Sequence, residues 1–255
     1  MDTDTDSDQL LRLREAKLLE WIFLGPDALN CTKTGLDMIQ GFARRLLMMQ
    51  TSRGEILHIL SPERQRKLSI AEFAHVNVYV NAFYLQMVKS LENLTRVLQI
   101  EFSVVELTDP QGCDGGVYGE WSDTIFQLNV ADLVPGLATS LEPMAIWLGE
   151  IREARNPCIL SNPLYIHPAA AEGDELDILR GLEAEVEIAA QTGNFHEYRQ
   201  KISQAQQLGS YFPLLANRGP DTIQLWPLPA QVLDDAQSLL NFAEPVFLAV
   251  QQRAV

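Results

Sequence analysis

The longest periodic stretch of the chain, Ile70 to Leu98, constrains the fold more than any other feature. Apolar residues recur there at Phe73, Val76, Val80, Phe83, Met87, Leu91, Leu94 and Leu98, in steps of three and four. That spacing draws one stripe along an α-helix of about 30 residues, about 45 Å long at 1.5 Å per residue. Isolated helices are marginal in water, so such a stripe must be hidden against another long helix. The spacing therefore predicts paired long helices, with Phe83, Met87, Leu91 and Leu94 sharing a core with Trp147 from further along. The polar residues His75, Asn77, Asn81, Ser90 and Asn93 are assigned to solvent or to local hydrogen bonds. Ser61 and Pro62, with Glu63 in the first turn, are read as the start of this helix.

Candidate neighbours follow from the same periodicity. Asp6 or Ser7 can cap LLRLREAKLLEWIFL, whose apolar face is Leu10, Leu11, Leu13, Leu18, Leu19, Ile22 and Phe23, and which Gly25 and Pro26 stop. LDMIQGFARRLLMM places Leu36, Ile39, Phe42, Leu46 and Met49 on one side and sends Arg44 and Arg45 to the other, with Met48 and Met49 as soft core filler. A further helix begins at Ile125 or Pro135 and runs to Ala154, where Pro157 forbids continuation. NPLYIHP and TIQLWPLP read as short extended segments. Helical patterning resumes from Glu172 to Gln207 in two pieces broken at Thr192-Gly193-Asn194, and Val232, Leu233, Ala236, Leu239, Leu240, Ala243, Phe247 and Val250 mark a last helix. The expected fold is all-α: a single-domain bundle of roughly six to eight helices over residues 9–255, with one long loop, after an unfolded acidic tail over residues 1–8.

Charge narrows the function classes. The net charge of −15 is uneven: through Arg96 there are 12 basic and 12 acidic residues, and from Val97 onward 7 basic and 22 acidic. A surface that binds a nucleic-acid backbone needs Lys and Arg to neutralise phosphates, so the second part is a poor candidate for it. Any such contact is expected at Arg44, Arg45 and Arg53, with Arg64, Arg66 and Lys67 nearby, although a solvated set of helix ends is the favoured reading of the cluster. The opening MDTDTDSD lacks the basic start and apolar stretch of a signal peptide. No apolar run reaches the roughly 20 residues of a membrane helix, so no membrane partner and a cytoplasmic location are expected. Cys31, Cys113 and Cys158 form no C-x-x-C pair and have no His at ligand spacing, and DPQGCDGGVYGEWSD, from Asp109 to Asp123, lacks the residue order of a phosphate or calcium loop. Neither a metal nor a cofactor is expected.

One constellation carries chemistry. The helix ending WLGEIREARN departs as RNPCILSNPLYIHPA, beside the long helix NAFYLQMVKSLENLTRVL and the closing YFPLLANRGPDTIQLWPLPAQVLDD. The pattern resembles bacterial helical proteins of the HEPN type (higher eukaryotes and prokaryotes nucleotide-binding). In these, a long helix with an S-x-x-N-L-like signature packs beside another that ends in Arg, then Asn or Asp, a few residues and His. The resemblance implies a HEPN-like core, a possible homodimer through the helices bearing Asn93 and Arg155, and candidate catalytic residues Arg155, Asn156 and His167. In active members Arg steadies the scissile phosphate and His moves the proton. Here Leu160, Ser161 and Asn162 stand where the pattern calls for His, and His167 lies beyond Pro163.

The expectation is thus a non-catalytic, HEPN-like interaction or RNA-associated module of a bacterial defence or toxin–antitoxin type system. A protein partner or a second copy is favoured over nucleic acid. The alternatives are a metal-independent RNA endonuclease that pairs Arg155 with a displaced acid-base residue such as His75, His167 or Tyr165, and a helical protein holding a small ligand near Trp147, Trp226 and Tyr211. A lone helix-terminal Arg155 also has a purely structural use, since it complements the helix dipole.

Overall fold

A computed structural model describes residues 3–24, 29, 31–61, 64, 68–103, 130–151, 164–170, 173–205, 208, 210–218 and 223–253. In chain order the elements are α1 (Thr3–Leu24), α2 (Lys33–Ile59), α3 (Ile70–Phe102), α4 (Pro135–Leu141), a 3₁₀ turn (Glu142–Met144) leading into helical residues 145–151, β1 (Tyr165–Ala170), α5 (Asp174–Gln191), α6 (Phe195–Ala205), β2 (Ser210–Arg218), β3 (Ile223–Pro227) and α7 (Leu228–Gln252). Helix dominates, as the periodicity predicts, and the strands form one small antiparallel sheet in the order β1-β2-β3. Among the described residues no helix is long and apolar enough to cross a membrane.

The α3 stripe packs along α2. Phe83, Met87, Leu91 and Leu94 are all buried and share one core cluster with Trp147, with Ile39, Phe42, Leu46 and Met49 of α2, and with the α7 stripe of Val232, Leu233, Ala236, Leu239, Leu240, Ala243, Phe247 and Val250. Each buried Val, Leu, Ile, Phe or Met side chain there contributes about 1.5–3 kcal/mol by leaving water. Gly35 lies beside Glu101, Gly41 beside Asn93, and Arg45 beside Gln86, so α2 and α3 run antiparallel. At Gly35 a Cβ would collide with the Glu101 carboxylate, so a larger residue there would displace that side chain.

Four expectations about these helices are corrected. The long helix starts at Ile70, not after Pro62, because Ser69 and Glu72 form a capping box: the Ser69 hydroxyl accepts from the Glu72 N–H at 3.3 Å and the Glu72 carboxylate accepts from the Ser69 N–H at 2.8 Å. Met48 is 55% exposed, whereas Met49 is core. On α1 the broad apolar face narrows to Leu11, Leu18 and Ile22, with Leu10, Leu13 and Phe23 left in solvent. Finally, α1 begins at Thr3, inside the stretch expected to be an unfolded tail, because Asp8 is tied to Arg53 at 2.9 Å and to Arg12 at 2.7 Å. Further along, α1 is held against α7 by Arg14, which pairs with Glu244 at 2.8 Å, and by Trp21, whose ring meets Phe247 edge-on at 5.9 Å.

The sheet contains both expected extended segments and one that was not expected. β1 covers most of NPLYIHP and β3 covers IQLWP. Between them in the sheet lies β2, SYFPLLANR, with Leu215 opposite Trp226 of β3 and Leu214 opposite His167 of β1. A short apolar run containing Pro213 gives neither helical nor alternating periodicity, which left β2 without a sequence signal. The pairing of β1 with β2 is irregular between His167 and Ala169.

Candidate functional site

Arg155 and Asn156 lie outside the described residues, as do Arg66, Lys67 and the loop from Asp109 to Asp123. The two ends of the Arg155 span are described: the preceding end is tied to Asp235 of α7, which Tyr84 of α3 also bonds, and the following end is tied to Asn81 of α3. Before the span, Trp147 and Ile151 are buried. The Trp147 indole Nε1–H donates to Asp235 Oδ1 at 3.0 Å, and the Tyr84 hydroxyl of α3 donates to Asp235 Oδ2 at 2.7 Å. After it, the backbone of buried Leu164 is held by Asn81 of α3: the Leu164 N–H donates to Asn81 Oδ1 at 3.0 Å, and Asn81 Nδ2 donates to the Leu164 carbonyl at 3.2 Å. Asn81 and Tyr84 are three residues apart, neighbours on one helix surface. His167 follows three residues after Leu164, on β1. His75 is exposed on α3, nearly two turns before Asn81.

Asp235 is the electrostatic centre of this bracket. It is buried on α7 and takes a third hydrogen bond from Gln231 Nε2 at 3.0 Å. Burial pushes its carboxyl up to about 6, against hydrogen bonds from Tyr84, Trp147 and Gln231 that favour the charged form. All three partners are neutral donors, so they satisfy the oxygens without neutralising the charge. An acidic residue set among Val232, Ala236 and Leu239 in the α7 stripe was the sequence signal for this position.

The S-x-x-N-L signature serves the core of its own chain. Ser90 is buried, with its hydroxyl 3.9 Å from Met49 Sδ, and Asn93 Nδ2 donates to the Met38 carbonyl of α2 at 3.2 Å. A Cβ on Gly41 would strike that Asn93 amide. Asn93 therefore joins α3 to α2 within one molecule. Asn77 and Asn81 bond back to the carbonyls of Phe73 and Asn77, as local bonding predicts.

The three candidate binding cations divide by environment. Arg44 faces solvent. Arg45 is half-buried against α3, not on the far side of α2; its Nη1 donates to Gln86 Oε1 at 3.0 Å, while its buried Nε has no hydrogen-bond partner among the described residues. Arg53 is wholly buried: Nη1 and Nη2 donate to the two Glu15 oxygens at 2.6 and 2.7 Å, and Nε donates to Asp8 at 2.9 Å. Burial opposes its charge, but the hydrogen bonds and attraction of Glu15 and Asp8 outweigh that and push its pKa up. Arg53 is thus a structural cation and is withdrawn from the binding surface. Its acidic partners lie 38 and 45 residues away in sequence, beyond the reach of any local pattern.

A second polar knot closes the other end of the bundle. Buried Glu101, near the end of α3, accepts from the Thr32 N–H at 2.9 Å and the Thr32 hydroxyl at 2.6 Å, and Arg253 after α7 donates to its other oxygen. Negative charge at the start of α2 also complements the helix dipole. Of the expected ligand-lining residues, Trp147 is core and Trp226 packs against the core cluster from β3, while the side chain of Tyr211 lies outside what the structure describes. Compared with known proteins, the chain matches no family model, no curated protein and no solved structure.

Proposed function

We propose that the protein is a non-catalytic, HEPN-like helical interaction or RNA-associated module of a bacterial defence or toxin–antitoxin type system. The observation that supports the reading is the pair of anchors flanking the segment that bears Arg155 and Asn156 and leads to His167: Trp147 before it is tied to Asp235 of α7, which Tyr84 of α3 also bonds, and Leu164 after it is held by Asn81 of α3. The reading assigns the contact with a partner to that segment. An Arg can neutralise a phosphate, but general acid-base catalysis, typically about 10²- to 10⁴-fold in rate, needs a proton carrier as well. The net charge of −15, with Arg53 spent on an internal pair, also opposes the encounter with a polyanion.

The test is incubation of the purified chain with single-stranded RNA in chelator, beside a partner pull-down. The reading expects no cleavage, and loss of the captured partner with Arg155→Ala. Cleavage at many turnovers per minute that stops with His167→Ala or His75→Ala would replace it with the metal-independent endonuclease.

A further inference from the structure

Between β1 and β2 the chain makes a helical hairpin, α5 and α6, that takes no part in the core. Of its described side chains only Ala189 is buried, and none belongs to the core cluster. Lys201 reaches Glu185 across the pair at 2.6 Å, and Asn194 in the turn donates to Glu197 at 2.8 Å. The turn itself uses Gly193 at φ 69°, a conformation that favours glycine. Two helices of 18 and 11 residues hide little apolar surface from water, and helices this short are marginal without packing partners. Yet the tip carries Ile188 at 60% and Phe195 at 73% exposure, one on each side of the turn.

The charge of the hairpin selects what can cover that tip. Residues 174–205 hold seven acidic residues and three Lys or Arg, a net of −4, and α5 alone has six acidic residues against Arg180. A second copy would bring −4 against −4 and −15 against −15. Nucleic acid and an anionic membrane are repelled in the same way. A positively charged surface with apolar side chains of its own meets both properties of the tip, the apolar one at Ile188 and Phe195 and the acidic one at Glu187 and Glu197.

We propose that the α5–α6 hairpin is a docking arm for a basic, amphipathic segment of another protein, anchored on Ile188 and Phe195. The arm is independent of the Arg155 reading, since RNA cleavage would refute that reading and leave the arm untouched.

The test measures binding of the full chain to a labelled helical Leu/Lys peptide, to its Leu/Glu counterpart and to a single-stranded RNA. The Leu/Lys peptide is expected to bind and to weaken as salt rises; the Leu/Glu peptide and the RNA are expected not to bind at the tip. The double variant Ile188→Ser/Phe195→Ser should weaken it by at least about tenfold, whereas Val78→Ser, an exposed apolar residue on α3, should leave it unchanged. Thermal midpoints of both variants should match the parent, because the replaced side chains lie outside the core. The arm is refuted if the Leu/Lys peptide fails to bind, if the double variant binds it as tightly as the parent, if Val78→Ser weakens it equally, or if the Leu/Glu peptide or the RNA binds at the tip.

Discussion

The α2–α3 pair and the α5–α6 pair are both antiparallel helical pairs of the same chain, yet they hold themselves together by different means. In the first, the α3 stripe disappears into a core shared with α1 and α7, and even its polar side chains, Ser90, Asn93 and Glu101, are spent on internal bonds. In the second, one alanine is buried and the charged residues face water. Helical period alone does not separate them, since both stretches repeat every three to four residues. What separates them is the density of large apolar side chains and the side on which the acidic residues fall. A stripe of Phe, Leu and Met forms a core, whereas a stripe diluted by Ala and Glu forms an arm that waits for another surface.

The comparison can be broken at its strongest point first. Arg53→Ala should cost about 3–5 kcal/mol in a denaturant titration, because Glu15 is left as a buried, uncompensated charge. A loss confined to RNA binding, with stability unchanged, would contradict the structural role. Leu91→Ala should cost about 2–5 kcal/mol by the same measurement, the range for a fully buried leucine. A loss under about 0.5 kcal/mol would place the stripe against solvent.

Asp235 sharpens the comparison through pH. Its folded pKa is raised from 3.8 to about 6, so the folded state binds the proton more tightly than the unfolded state does. The resulting stability is fully present below about pH 4 and is lost as pH rises through about 6. Asp235→Asn should flatten the parent's stability profile across that window by up to about 3 kcal/mol. An identical pH slope in the two proteins would show that Asp235 does not titrate there. The smallest effect belongs to the arm, where Ile188→Ala should move global stability by no more than about 0.5 kcal/mol.

Much of this contrast was legible in the sequence. The α3 and α7 stripes, the break at Thr192-Gly193-Asn194 and the extended character of β1 and β3 all follow from local periodicity and breakers, and local rules decide them. The Ser69-x-x-Glu72 capping box was equally legible as a signature but was masked by the nearer Ser61-Pro62 signal. β2 had no periodic signal, because its place comes from pairing with two other strands. The site was less legible still. Arg53 looked like a surface cation because Glu15 belongs to a different helix, and Asn81 read as a polar residue facing solvent or bonding only locally because Leu164 lies 83 residues on. Long-range pairing, not residue type, decided both.

Native-state hydrogen exchange on the free chain tests the contrast between core and arm most directly. The amides of α5 and α6 should exchange through local opening, at least about a thousandfold faster relative to their unprotected rates than the slowest amides of α2 and α3, which should open only with global unfolding. Arm amides as strongly protected as those of α3 would contradict the account, for they would show the hairpin to be an integral part of the core and not an arm awaiting its partner.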